Sequence, residues 1–230
     1  FLKLQLERGW KRHLMSVAIL LCAASAVGSQ SRGALVALIA MGLMFWWRSS
    51  RKAFIGVMLI VGLLAILLMM PEQWWDRMST IQNYMQDQSA IGRINAWLVA
   101  LEVANHNFFG GGMSYQHQAY FLAYGVYETE IRAAHSIYMQ ILGNHGYIGL
   151  ILFLMVWVAT YTTAGALRRQ AQGDVNALWV AQLGAMIQVS LVAFSAGGAF
   201  LSLSYFDLPY DLMIMAVIAR KWVERRAWEN

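Results

Sequence analysis

Residues 53–70, AFIGVMLIVGLLAILLMM, form an eighteen-residue run with no charged or amide side chain, and the run stops at Pro71. A helix rises 1.5 Å per residue, so ~18–20 apolar residues approach the ~30 Å hydrocarbon core of a bilayer. With no polar face to turn to water, the run predicts a membrane-crossing helix. Composition agrees. The 230 residues are 59% hydrophobic and 13% charged, whereas soluble domains carry about 25% charged residues. Ten Trp and ten Tyr suit interfacial anchors, whose amphipathic rings settle at headgroup depth. The single Cys22 lies in an apolar run and excludes a disulfide framework.

Five further apolar runs, at 14–28, 34–47, 136–167, 177–200 and 208–223, bring the expected spans to six. The expected fold is all-α: a polytopic helical bundle with three spans in 1–70, a large helical outer loop over 71–135, and three spans in 136–230. Residues 1–10 are expected to form a basic, amphipathic approach to the first span, with no secretory signal peptide. The chain begins at Phe1, so further sequence is expected ahead of it.

Lys and Arg favour the cytoplasmic side of a membrane. With the chain start inside, thirteen of the seventeen basic residues fall in inside segments, and Arg32, Arg77, Arg93 and Arg132 fall outside. The net charge of +5 is therefore topological. It does not indicate nucleic acid, because no aromatic residues interleave with basic ones in a soluble segment.

The outer loop carries the candidate chemistry. A helix is expected over 93–104, with Ile94, Trp97, Leu98 and Leu101 on one face. The Gly110-Gly111-Gly112 turn should end it, where positive φ is tolerated. Residues 115–127 form a second, aromatic-rich element. Arg32 lies in the hairpin Gly28-Ser29-Gln30-Ser31-Arg32-Gly33. It is either a fixed guanidinium for a diphosphate or a side chain snorkelling to headgroups. Arg93, expected at a helix start, would add its charge to the free N–H groups there as an anion site. Arg77 and Arg132 are expected to pair with Asp76 and Glu130.

His135 closes the loop, where a near-neutral imidazole can take a proton from a hydroxyl or simply bond water. His106, His117 and His145 join it on the same side, and none of their spacings matches a zinc signature, so no metal site is expected. Gln140, Asn144 and His145 with Gly143, Gly146 and Gly149 make a polar, small-residue stripe that suits helix packing or a cavity wall. Gln182, Gln188, Ser190 and Ser195 in the fifth span admit the same two readings. Asp207 and Asp211 flank Pro209 at a helix start, as acceptor-binding carboxylates or plain helix-start residues.

Taken in order, Gln30-Ser31-Arg32-Gly33-Ala34, Gly92-Arg93-Ile94-Asn95-Ala96-Trp97, His106-Asn107-Phe108-Phe109-Gly110-Gly111-Gly112, Ala134-His135-Ser136-Ile137-Tyr138 and Leu142-Gly143-Asn144-His145-Gly146 resemble the C-terminal domain shared by O-antigen ligases, O-antigen polymerases and bacterial protein O-oligosaccharyltransferases. Within that family the chain most resembles O-glycosylation ligases associated with exosortase systems. It departs where the family commonly has Pro near the triple-Gly turn, here Asn107, and Asn after the loop-ending His, here Ser136.

The resemblance implies a metal-independent, inverting glycosyl transfer at the periplasmic face of the bacterial inner membrane, with no cofactor. The donor would be an undecaprenyl-diphosphate-linked glycan and the acceptor a hydroxyl of lipid A core, protein or glycan. Arg32 and Arg93 would hold the diphosphate, His135 would activate the acceptor, and Tyr138, Trp97 and Asn144 would support them. A polymerase would use the same residues. From another class, half of a transporter would place ionisable residues at the midplane on broken helices in inverted repeats, and no repeat is visible here. A structural scaffold would need neither outer arginines nor a shaped Gly turn.

Overall fold

The computed structural model describes residues 9–72, 74–75, 88–127, 130–171 and 175–225. The expected basic approach over 1–8 and the Arg77–Asp76 pair lie outside the described residues. The described residues include eight α-helices: α1 (Trp10–Gly28), α2 (Arg32–Arg48), α3 (Lys52–Leu68), α4 (Gln88–His106), α5 (Gln118–Tyr124), α6 (Ile137–Gln170), α7 (Leu178–Gly198) and α8 (Asp207–Glu224). A short 3₁₀ turn covers Gly112–Ser114.

Each of the six apolar runs is a helix with ends close to those expected. Among the described residues three helices, α1, α6 and α7, are long and apolar enough to cross a membrane. The other three fall short for different reasons. Helices α2 and α3 have 17 residues each, about 25 Å of rise. Helix α8 has 18 residues but carries Asp207, Asp211, Arg220, Lys221 and Glu224. Neither α1 nor α3 buries any residue, and their large apolar side chains point outward. This inverts the pattern of a water-soluble fold and suits a chain whose solvent is lipid.

The chain forms two compact units. One comprises Phe1–Leu59, Val156–Ala196 and Phe206–Asn230. Its core joins the end of α6, the start of α7 and the end of α8 through Leu167, Ala171, Ala177, Val180, Ala181, Ala219 and Val223. Small residues here let helices approach closely, the usual basis of helix association in membranes. Arg48, in the last turn of α2, donates to the Ala185 carbonyl at 3.0 Å and to Gln188 Oε1. Gln188 in turn donates to the Tyr161 carbonyl at 2.9 Å, so the fifth-span amide packs helices together.

The other unit comprises Ile60–Met155 and Gly197–Tyr205. Its core lies between α4 and α5: Ala96, Val99, Ala100, Val103, Tyr115 and Phe121. The buried face of α4 is thus not the expected one. Ile94, Trp97 and Leu98 are only partly buried and Leu101 is exposed, while Ala96, Val99, Ala100 and Val103 are fully buried. Small side chains win because the aromatic rings of Tyr115 and Phe121 supply the bulk across the contact.

Helix α4 also starts at Gln88, five residues ahead of Arg93. That overturns the expectation that Arg93 marks a helix N-terminus. Only the first four N–H groups of a helix lack intrahelical partners, and Arg93 lies beyond them. Ile91 and Gly92 are buried, which anchors the added turn.

Helix α6 is interrupted at Gly146, with φ 65° and ψ −166°, a region essentially restricted to Gly. The triple-Gly turn docks on this break. Gly110 (φ +77°) stands so near that a Cβ would lie 2.5 Å from the Gly146 nitrogen, and the Gly111 N–H donates to the Gly143 carbonyl at 2.8 Å. The stripe of glycines in the fourth span therefore receives a loop.

Candidate functional site

His135 is held from both sides. Before it, the Ala134 carbonyl accepts the Trp97 indole N–H at 2.5 Å. Its own N–H donates to Ser202 Oγ at 2.9 Å. After it, the Ser136 carbonyl accepts from Gln140 N at 2.9 Å, opening α6. Between these fixed points His135 has φ 46°, a left-handed backbone that is uncommon for a residue with a side chain and costs of order 1–3 kcal/mol. Such a conformation persists where its surroundings over-determine it.

Two arginines face this imidazole. Its pKa is pushed below the ordinary histidine value, first by burial and then by the charges of Arg93 and Arg132. Arg132 folds over Gly92, where a Cβ would lie 2.7 Å from the arginine Cδ. Gly92 thus gives Arg132 room beside Arg93. As expected from sequence, Arg132 pairs with Glu130, at 3.5 Å. Glu130 is 86% exposed, so the pair is screened and leaves most of the guanidinium charge in play.

The segment from Ser202 to Tyr205 straps the first turns of α6. Beyond the Ser202–His135 bond, Ser204 Oγ is within hydrogen-bonding distance of the Ile137 carbonyl and Gln140 Oε1, both at 2.9 Å. The Tyr205 hydroxyl accepts from Asn144 Nδ2 at 2.6 Å and meets His145 Nε2 at 2.9 Å. Asn144 is 4% exposed, and its Oδ1 has no hydrogen-bond partner. Tyr115 packs against Gly143, and burial pushes its phenol up to about 12. Tyr138 is the second residue of α6 and is partly buried.

Among the residues singled out from sequence, His135, Arg93, Trp97 and Asn144 fall in one unit with Tyr138. Arg32 belongs to the other. It is exposed, the first residue of α2 behind Ser31, whose Oγ accepts the Ala34 N–H at 3.4 Å. The remaining histidines have separate local roles. His106 pairs with Glu102 at 3.6 Å, His117 caps α5 by accepting from Ala119 N at 3.3 Å, and His145 meets Tyr205. Asp207 lies in the first turn of α8, where a carboxylate complements the helix dipole.

Arg132, Ser202 and Tyr205 complete the surroundings of His135 and of the α6 break. Arg132 was visible from sequence only as a surface pair. Ser202 and Tyr205 lie sixty or more residues from their partners along the chain, where no local pattern links them.

An all-α, apolar-surfaced chain with three helices able to cross a bilayer defines a membrane protein. The chain belongs to the O-antigen ligase family: the family model described as O-antigen ligase (Wzy_C) matches residues 17–154. The match includes Arg32, Arg93, His135 and Asn144 and ends before Ser202 and Tyr205. Neither the curated proteins nor the solved structures searched contain a match to it. Membership implies glycan transfer of the ligase or polymerase type, from a lipid-linked glycan, at the inner membrane.

Proposed function

We propose that the chain transfers a glycan from undecaprenyl diphosphate to a hydroxyl acceptor at the periplasmic face of the inner membrane, with inversion. The acceptor oxygen attacks the anomeric carbon, the carbon–oxygen bond to the diphosphate breaks, and the acceptor proton passes to the His135 imidazole. Undecaprenyl diphosphate leaves as an anion, and Arg93 and Arg32 hold its charge. Fixed guanidiniums supply the electrostatic stabilisation without a metal ion.

The observation that carries this reading is the His135 arrangement: a backbone-locked, half-buried imidazole kept neutral by burial and two guanidiniums. Neutral imidazole is the form that accepts a proton. Trp97, through the Ala134 carbonyl, holds it in place, and Asn144 and Tyr138 line the same stretch of chain. The acceptor hydroxyl would belong to lipid A core, a protein or a second glycan. An O-antigen polymerase would use the same residues on a glycan acceptor.

The test is transfer from a lipid-linked donor by the full chain in detergent or vesicles. Arg93→Ala, Arg32→Ala and His135→Ala should each lower the rate by about 10²–10³, and chelators should leave it unchanged. Wild-type rates in a well-folded His135→Ala protein would refute its role as base.

A further inference from the structure

The final turns of α6 and Arg220 near the end of α8 line an open pocket of about 310 Å³, apart from the residues assigned above to glycan transfer. At ~30 Å³ per water it would hold about ten waters, more room than one desolvated phosphate group needs. Its lining includes Arg169 and Arg220 with the polar residues Thr162, Thr163 and Gln170. All five belong to one compact unit.

The cavity has an excess of positive charge. Arg220 Nε donates to Glu224 Oε1 at 2.7 Å, with both side chains more than half exposed. Among the described residues Arg169 has no acidic partner. Among the described residues one screened carboxylate thus answers two guanidiniums, and the negative end of the α6 dipole is offset by the basic pair Arg168 and Arg169 in its last turn.

The walls leading to the cavity are apolar and uncovered. Val158 lies four residues before Thr162 and Val217 three before Arg220, so each shares a helix face with its polar neighbour. They are 62% and 53% exposed. Ile214, one turn further along α8, is 57% exposed. A free inorganic anion makes no use of such faces, whereas acyl chains do.

We propose that this cavity binds the phosphate headgroup of an anionic phospholipid, whose acyl chains lie along the exposed apolar faces of α6 and α8. Arg169 and Arg220 donate to the phosphate oxygens, and the threonine and glutamine side chains meet the glycerol. The site is independent of the glycan-transfer reading and stands or falls separately from it.

The test uses the full chain, purified in detergent and stripped of lipid, with binding followed by native mass spectrometry and thermal shift. Phosphatidylglycerol should bind and raise the melting temperature, and phosphatidylcholine and inorganic phosphate should not. At about 1 kcal/mol per basic residue, Arg169→Gln or Arg220→Gln should weaken binding about five-fold, and the pair about thirty-fold. Arg169→Lys should retain most of it. Equal binding of the two lipids, or undiminished binding by the double variant, would overturn the proposal. Complete displacement of phosphatidylglycerol by millimolar phosphate would overturn the lipid assignment in favour of a free-anion site. The lipid comparison on the unaltered chain decides the matter if the double variant does not fold.

Discussion

At the scale of single residues, His135 sits under opposed demands. Burial and the charges of Arg93 and Arg132 keep its imidazole neutral, which makes it available as a base but lowers its proton affinity. A diphosphate docking against Arg93 cancels much of that repulsion, so donor binding should raise the His135 pKa and strengthen the base when it is needed. The kcat/KM profile reports the free enzyme and kcat the complex. The acid limb of kcat/KM should therefore lie below the ordinary histidine value of about 6.5, and the acid limb of kcat at higher pH. Arg132→Gln should move the kcat/KM limb upward by removing one repelling charge, and pH–rate profiles of both proteins check this. Coincident limbs in the unaltered protein would contradict the coupling. Stability has its own sign. The folded imidazole has the depressed pKa, so its contribution is full above the unfolded value and is lost as pH falls through the folded one.

At the scale of elements, the break in α6 joins the fold to the site. Gly146 adopts a backbone region that side-chain-bearing residues avoid, and the backbone of Gly110 lies against it. Gly146→Ala should cost about 1–3 kcal/mol from strain alone, and more once its Cβ meets the Phe108 and Gly110 backbone. A lowered melting temperature together with lost transfer is the expected outcome, measured by thermal unfolding and donor turnover. The helices themselves were legible in the sequence, because an uninterrupted apolar run such as 53–70 has little alternative in lipid. Arg93, expected at a helix start, lies inside α4, whereas the place of His135 just ahead of α6 was legible too. The α6 break was not, since glycines in an apolar helix read equally as packing residues until a loop is seen to occupy them. Nor was the turn of α4 ahead of Arg93. Gln88, Ser89 and Ala90 carry no periodic signal, and the turn they form is anchored by the burial of Ile91 and Gly92. The bonds from Ser202 and Tyr205 to α6 link distant stretches of chain, so no spacing rule announces them.

At the scale of the whole molecule, the placement of the basic residues bears on how many helices cross the bilayer. If only α1, α6 and α7 crossed and the start lay inside, six of the seventeen Lys and Arg would be cytoplasmic. With all six apolar helices crossing, thirteen are, and the positive-inside bias strongly favours the second arrangement. The cost is modest. Helices α2 and α3 fall about 5 Å short of the hydrocarbon core, a mismatch absorbed by local thinning and snorkelling at fractions of a kcal/mol per Å. We therefore propose six crossings with both described ends cytoplasmic, and cysteine labelling separates the two cases. In a Cys22→Ala background, single cysteines at Ser50, Phe109 and Arg225 all occupy exposed positions. Six crossings place only position 109 outside, so in spheroplasts a membrane-impermeant maleimide should label 109 alone, with 50 and 225 reacting after lysis. Three crossings would leave all three sites outside and labelled before lysis.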